Sequence, residues 1–492
     1  MAQESNKTTQ GLQIDKKTIF TVTGLLVLIM IFAGILTQVI PAGEYNVDAE
    51  GSIINGTYHT VESDYQFWRV FISPVEALVR DTSSALTGVA IILFIILIGG
   101  TFLVLDRSGV LKYIMVTIVG KFGNKKYTLL PLIVLVCMAM SSFVGILEES
   151  ITLVPLAVAI SLALGWDSLV GLSFSLVSIA FGYAAATFNP FNVVVVQSMS
   201  DDLTLFSGTL YRVLVFAVVY LVFLAFLIPY AKRIEKDPKK SVVYENDIAL
   251  RERFLGEQDG IAGNKNLGKA TRTFLLCISG VVVATVLTFV VRNFIENDAV
   301  ADIISYIPMV AMAILFTVGG IRAGHIAGIR GKALAHGFWE GAKAILPCAP
   351  LILLVVSITY ILKAGKVIGT ILNYVYGLID NMSPFVAILV IFLLVLVLEF
   401  FIGSGTAKAF LIMPLMLPLA SMCGISHQSI TLAFCLSDGF GNILFPTSGI
   451  MLVAIGIINL SYGKYMKFMW KIFAAEFAAS AALMLLAIAI GY

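Results

Sequence analysis

The chain has 492 residues, 59% of them hydrophobic and only 13% charged, with a mean hydropathy of +0.97. Soluble globular domains carry roughly 25% charged residues, so a water-soluble fold is excluded, and the length holds roughly ten or more spans of about 20 residues. The formal net charge of +2 gives no electrostatic reason to expect nucleic acid as a partner.

In chain order, Lys16 and Lys17 precede an apolar run over 18–40. It is too long for a signal-peptide core and has no clear small-residue cleavage site, so it is expected to stay as a membrane anchor. An acidic loop follows, with Glu44, Asp48, Glu50, Glu62 and Asp64 but no Lys or Arg before residue 68. Further full-length spans are expected at 86–105, 169–198, 209–231, 273–292, 303–321, 342–362, 429–457 and 471–491. Two regions break this pattern. The apolar stretches 127–164 and 383–422 are split by SSFVGILEES (141–150) and EFFIGSGTAK (399–408). Each leaves arms of about 12–18 apolar residues, marginal for a hydrocarbon core about 30 Å thick, which reads as a re-entrant hairpin. Segments 107–122 and 363–380 are amphipathic and are expected to lie along the membrane surface.

Charge asymmetry gives orientation. Segments 199–208 and 293–302 carry acids without bases, whereas Lys121, Lys125, Lys126, Arg322, Arg330, Lys332, Lys464, Lys467, Lys471 and ten basic residues in 232–272 fall on the other side. The positive-inside rule places residues 1–17 and the 232–272 linker in the cytoplasm, and the span count places the C-terminus outside. The linker's GIAGNKNLGK stretch suggests a flexible connection between a first membrane half, 18–231, and a second, 273–492.

The halves repeat each other. Pro155 in one split region and Pro414 in the other each precede a glycine, Gly165 and Gly424, by ten residues. Each region is followed by an interrupted span, broken at ATFNPFN (186–192) and at SDGFGNILFPTSG (437–449). An odd number of crossings separates the two, so the repeats are expected to be inverted. Inverted repeats with paired discontinuous helices mark the binding site of a secondary transporter. The expected fold is therefore an all-α polytopic membrane protein with two re-entrant hairpins and two broken helices.

Ionisable residues at membrane depth are costly and so carry a functional hypothesis. Here they gather at the breaks: Glu148, Glu149, Glu399, Lys408 and Asp438. Four acids against one base favour positively charged cargo or coupling ions. Ser141, Ser142, Gly145, Thr187, Asn189 and Asn192 in the first half are candidate ligands for an ion or a substrate's polar groups. So are Ser404, Gly405, Thr406, Asn442, Thr447 and Ser448 in the second. Glu399 has an alternative reading as the ion-pair partner of Lys408. No resident cofactor or metal is expected, because the five cysteines form no CxxC pair and the four histidines lack ligand spacing. The ion expected is a transient one, Na+ or H+, at the hairpin tips. Templates such as HExxH and GxSxG are missing too, so an enzyme is not expected.

Five stretches carry a resemblance: GILEESITLVPLAVAISLALGWDSLVG, GYAAATFNPFNVVVVQ, FFIGSGTAKAFLIMPLMLPLA, LSDGFGNILFPTSGIML and INLSYGKYMKF. Through them the chain, from Lys16 onward, resembles the YfcC-type members of the C4-dicarboxylate anaerobic carrier (DcuC-like) family, within the ion transporter superfamily of elevator-type carriers. The resemblance implies a scaffold domain and a transport domain holding both hairpins and both broken helices, and it suggests a homodimer. It also implies a substrate among C4-dicarboxylates or basic amino acids of the arginine/ornithine kind. Glu148-Glu149 and the Ser404-Gly405 tip look like the family pattern. Glu399 and Gly403 depart from it, where Asn and Pro are expected. The extra negative charge of Glu399 favours cationic cargo. The expectation is a basic amino-acid antiporter in the cell membrane; the alternative is a sodium- or proton-coupled C4-dicarboxylate importer.

Overall fold

The computed structural model describes residues 16–46, 54, 56–189, 191–200, 202–204, 206–255, 264–292, 307–379 and 382–492. Long runs of Leu, Ile, Val, Ala and Phe in this composition have one way to satisfy their backbone away from water, which is the helix. In the first half these are α1 (Lys16–Val39), α2 (Ser73–Arg80), α3 (Thr82–Arg107), α4 (Val110–Phe122), α5 (Lys126–Val144), α6 (Val154–Ala163), α7 (Ser168–Ala184), α8 (Val193–Ser198) and α9 (Thr209–Lys236). Next come α10 (Tyr244–Leu255), α11 (Lys265–Arg292), α12 (Ile307–Ile326), α13 (Gly331–Ile345), α14 (Ala349–Ala364) and α15 (Val367–Ile379). The chain finishes with α16 (Pro384–Glu399), α17 (Gly405–Met422), α18 (His427–Leu444), α19 (Gly449–Ile457) and α20 (Tyr462–Ile490). A two-residue antiparallel pair, Gly43–Glu44 with His59–Thr60, closes the loop after α1.

Among the described residues five helical stretches are long and apolar enough to cross a bilayer: Val110–Val144, Thr209–Lys236, Gly405–Met422, His427–Ile457 and Tyr462–Ile490. The pair α13 and α14 makes a sixth if taken together. Nine full-length spans were expected. The count of five or six is of the described residues alone, and within them Ser168–Ala184 stops before the first break and remains a short apolar helix. Conversely, the arm Gly405–Met422 is long enough to span by itself, despite its internal Pro414 and Pro418. Segment 107–122 does not prolong α3, because Gly109 (φ 77°) turns the chain before α4.

The helices pack as two groups. In one, α14 packs on α1, α2 and α3, while α3 also meets α12 and α13, and α11 lies along α12. Glycines set the spacing, since a methyl at Gly99, Gly100 or Gly341 would run into the opposite helix's backbone or side chains. Arg69 Nη2 pairs with Glu76 Oε1 at 2.9 Å, and Tyr360 Oη donates to Glu76 Oε2 at 3.5 Å, which ties α2 to α14. In the other group, α5 pairs with α7 and α16 with α18, and α7 crosses α18. Each half thus sets the first arm of its split region against its own interrupted helix. The crossing leaves no room for a side chain at Gly439, which lies against the Ala184 backbone. Through the contact between halves Phe181 meets Phe440 and Phe473 edge-on, and Phe440 meets Phe477 edge-on, while Phe473 and Phe477 stack; the Phe181 and Phe440 centroids are 5.4 Å apart. Aromatic edge-to-face pairs of this kind add to the burial of their area.

The segment after α9 is held against the helices as far as α10. Tyr230 Oη and Ser241 Oγ both donate to Asp167 Oδ2 at 2.6 Å. The backbone N–H of Ser168 donates to Asp247 Oδ2 at 2.8 Å. Arg251 reaches the Leu162 and Trp166 carbonyls, while Asn246 donates to the Asn459 carbonyl and accepts from Lys464 Nζ. Helix α10 therefore grips both the α6–α7 turn and the start of α20. Burial raises the Asp167 carboxyl above its ordinary range. Burial, opposed by the Ser168 hydrogen bond and reinforced by the nearby Asp167 charge, pushes Asp247 up to about 7. The part of the expected linker at 256–263 lies outside the described residues.

Candidate functional site

A helix that stops inside a membrane leaves its last carbonyls and the next helix's first N–H groups without partners, and the chain must supply them. The end of α7 is answered by the end of α5. Ser142 Oγ donates to the Ala185 carbonyl at 2.8 Å, and the Ser142 carbonyl accepts from the N–H groups of Thr187 and Phe188, both at 3.1 Å. The two hydroxyls of Ser142 and Thr187 are 3.0 Å apart. Asn189 donates to the Ser141 carbonyl at 3.3 Å and accepts from Phe191 N–H at 2.8 Å. Asn192 donates back to the Tyr183 carbonyl and caps Val193 N–H, bridging the break from both sides. Gly145 (φ 81°) ends α5 in the left-handed conformation that glycine adopts freely. A Cβ there would strike the Phe191 ring and Asn189 Oδ1.

Ser142, Thr187, Asn189 and Asn192 are therefore occupied in joining the first split region to the first break. Ser141 differs: its hydroxyl is buried and has no hydrogen-bond partner among the described residues. Glu148 follows at the tip, half-buried and within Coulombic reach of Asp438. The side chain of Glu149 lies outside the described residues.

In the second half Ser404 Oγ caps α17 by accepting from Ala407 N–H at 3.4 Å. Gly405 sits directly on the Asp438 carboxylate, close enough that a Cβ would be 2.6 Å from Oδ2. Thr406 Oγ1 donates to the Phe191 carbonyl at 3.2 Å, which joins this tip to the first break. Lys408 is completely buried. Its ammonium forms an ion pair with Glu399, stands 2.9 Å from Asp438 Oδ1, and donates to the Ile402 carbonyl at 3.2 Å. Lys408 thus holds two carboxylates, and the reading of Glu399 as its partner agrees with this geometry.

The second interruption is shorter than its glycines suggest. Helix α18 runs unbroken through Asp438, Gly439, Gly441 and Asn442 to Leu444, and only Phe445 to Ser448 leave the helix. The glycines there serve close approach, since Gly441 packs on the Glu399 side chain and Gly439 on Ala184. Asn442 Nδ2 bonds back to the Asp438 carbonyl at 2.8 Å. Ser448 caps Met451 N–H, and Thr447 Oγ1 is buried without a partner among the described residues. The start of α19 packs against residues 148–152, and those residues also meet α12 of the other helix group. All four breaks therefore converge, with Asp438 and Lys408 between them. A surface depression of about 670 Å3, bounded by Phe206, Thr209, Leu214 and Tyr492, shares no residue with this cluster.

Sequence reasoning missed Arg212. Its guanidinium is buried and has no carboxylate beside it among the described residues. It donates instead to the Thr187 carbonyl (3.3 Å), the Ser207 carbonyl (2.8 Å), Gln428 Oε1 (3.1 Å) and Tyr492 Oη (3.3 Å). The available signal was an arginine four residues into the apolar run 209–231. It resembles a span's flank, and its partners lie far away in sequence.

The chain is 26% identical over 404 residues to an Escherichia coli protein named "Putative basic amino acid antiporter YfcC", covering 80% of this chain and 76% of that one. It is 25% identical over 419 residues to an uncharacterised Haemophilus influenzae protein, covering 84% and 77%. Among solved structures it aligns with the YdaH transporter of Alcanivorax borkumensis at TM-score 0.46 and 15% identity, over 96% of this chain and 99% of that one. It aligns with Neisseria gonorrhoeae MtrF at TM-score 0.44 and 16% identity, over 97% and 96%. The pattern of the C4-dicarboxylate anaerobic carrier family covers residues 20–489, end to end across both helix groups and all four breaks. The chain belongs to that family and is a membrane transport protein, not an enzyme.

Proposed function

We propose that the protein is a secondary active antiporter of basic amino acids of the arginine/ornithine kind, working in the cell membrane. The observation that carries this reading is the state of Lys408. One ammonium faces two carboxylates, Glu399 and Asp438, so with all three ionised the cluster is net negative, and Glu148 nearby makes it more so. An uncompensated buried negative charge is unfavourable and is relieved by a cation. A lysine with both neighbours taken is poorly placed to receive a dicarboxylate. The name of the Escherichia coli relative supports the same reading.

In this proposal the ammonium or guanidinium of the solute meets Glu148, Glu149 and Asp438. Ser141 and Thr447 supply hydroxyls, and its carboxylate meets the N–H groups that begin α17, where a helix end favours negative charge. The helix group holding α5–α9 and α16–α20 is the transport domain, with the two split regions as its re-entrant hairpins. It slides against the group built on α1–α3 and α11–α14 as scaffold. The N-terminus and α10 face the cytoplasm, and the scaffold pairs two copies.

Uptake into proteoliposomes of labelled arginine and of labelled succinate, each with and without a sodium gradient, tests this. Arginine uptake accelerated by internal arginine or ornithine is expected. Absence of arginine uptake under every gradient, with sodium-driven succinate uptake instead, overturns it in favour of an ion-coupled dicarboxylate importer, the reading that the family's description supports.

A further inference from the structure

One of the buried acids outside the converged breaks has neither carboxyl oxygen partnered among the described residues. Glu476 is the central residue of α20, with 14 residues of helix on either side, so at 1.5 Å per residue it sits about 21 Å from each end. Within the span read at 471–491 it lies five residues, about 7.5 Å, past Lys471 and so inside the apolar part of the helix. It is 0% exposed, and neither carboxyl oxygen has a hydrogen-bond or ion-pair partner among the described residues. Ser480, one turn further on the same face, is equally buried, and its hydroxyl is also unpartnered.

The helices packed most closely on α20 are α9, α16, α18 and α19, while α7, whose ionisable residue is Tyr183, touches it through Phe181 and Phe473, and α10 meets only its start at Lys464; among the described residues none supplies a counter-charge to Glu476. The ionisable groups on α9 are Arg212 and Tyr211 near its start, Tyr220, and Tyr230, Lys232, Arg233, Glu235 and Lys236 near its end. On α16 and α18 the acids Glu399 and Asp438 are held by Lys408, Cys435 is buried, and His427 lies in the first turn of α18. Helix α19 has no ionisable residue, and α20 itself has only Tyr462, Lys464, Tyr465, Lys467 and Lys471, all in its first half. An isolated carboxylate at this depth is far costlier than a neutral carboxyl. The group is placed to hold a proton.

Its position links that proton to the site. Phe477, the next residue, stacks on Phe440 with centroids 5.5 Å apart, and Phe440 is two residues beyond Asp438. A cation bound beside Asp438 would act through this thin apolar layer, where charges are weakly screened, and would favour the ionised form of Glu476. We propose that Glu476 is a coupling-proton site: it carries a proton while the solute site is empty and releases it to water on the open side when a cationic solute binds. Ser480 is the neighbouring hydroxyl able to accept the carboxyl hydrogen. The carrier then exchanges cationic solute for protons as well as for a second solute. The direction of this linkage rests on the cationic-solute reading; the proton site itself does not.

The experiment uses the full chain. In proteoliposomes holding a pH-sensitive dye, an arginine gradient is expected to drive protons the opposite way. The protons moved per labelled arginine should fall at least tenfold in Glu476→Gln. An unchanged ratio in that variant overturns the proposal. In detergent, infrared difference spectra across a pH titration should show a carboxylic-acid C=O band that Glu476→Gln lacks and whose midpoint Ser480→Ala shifts. A band unaffected by either substitution overturns the site, whatever the solute. If arginine is not transported by the unsubstituted protein, the functional reading fails and the infrared titration still decides the site. If Glu476→Gln does not fold, the Ser480→Ala shift decides it.

Discussion

Lys408 shows how one buried side chain can hold two others in place. Removing a single member of a buried ion pair leaves a charge without compensation and costs about 3–5 kcal/mol. Here two carboxylates would be stranded. Lys408→Met should therefore lower the thermal unfolding temperature of the purified protein sharply, whereas Lys408→Met combined with Glu399→Gln should recover part of that loss; parallel melting curves of the two variants measure it. Arg212 gives a second residue-scale prediction. Arg212→Met leaves the Thr187 carbonyl buried and unanswered at about 1–3 kcal/mol, while the Ser207 carbonyl keeps its bond from Gln197. Stability should fall by about 1–3 kcal/mol, with Arg212→Lys intermediate, since an ammonium cannot reach partners spread over a guanidinium's fork.

At the level of elements, the breaks were legible because glycine, proline and charge inside apolar runs have few structural explanations. Their exact extents were not. Asp438 and Asn442 were expected in an interruption but lie in continuous helix. Propensity is a weak local preference that packing overrides, and Gly439 and Gly441 are needed there for contact with Ala184 and Glu399. The α10 clasp was illegible for the opposite reason. Its sequence is polar, and its order comes from Asp167, Ser168 and Asn459, which only the folded chain brings near. The clasp also carries a pH dependence with a definite sign. Asp247 is raised from its ordinary 3.8 to about 7, so the folded form binds the proton more tightly. Its stability is greatest below about pH 4 and is lost as pH rises through about 7. Hydrogen exchange over 244–255, corrected for intrinsic rates, should be faster at pH 8 than at pH 5. Asp247→Asn, which keeps an acceptor for Ser168 N–H, should flatten the difference.

At the scale of the whole molecule, the two helix groups touch at Thr359 Oγ1, which donates to the Phe401 carbonyl at 2.5 Å. If transport needs the groups to slide, tethering this point must stop it. Cysteines at Thr359 and Phe401 in a cysteine-free chain, joined by a short bifunctional maleimide, should reduce uptake to background, while a monofunctional reagent should not. Full uptake after complete cross-linking would refute the moving-domain mechanism. The convergence of the four breaks was legible from the repeat, but which side chains remain unoccupied there was not. Ser142 and Ser141 are adjacent and chemically identical, and only folding decides that one closes a helix end while the other stays open.

The aromatic and glycine contacts between α7 and α18 bear on how the protein is made. The first half leaves the ribosome with Ala184 and Phe181 in place but without Gly439 and Phe440, and with Arg212 lacking Gln428. Until the second half is inserted, that surface faces lipid with a guanidinium only partly satisfied. Membrane insertion of this carrier is therefore a two-stage assembly in which the early half waits. A chain halted at Leu255 should be short-lived in the cell unless the remaining half is supplied in trans.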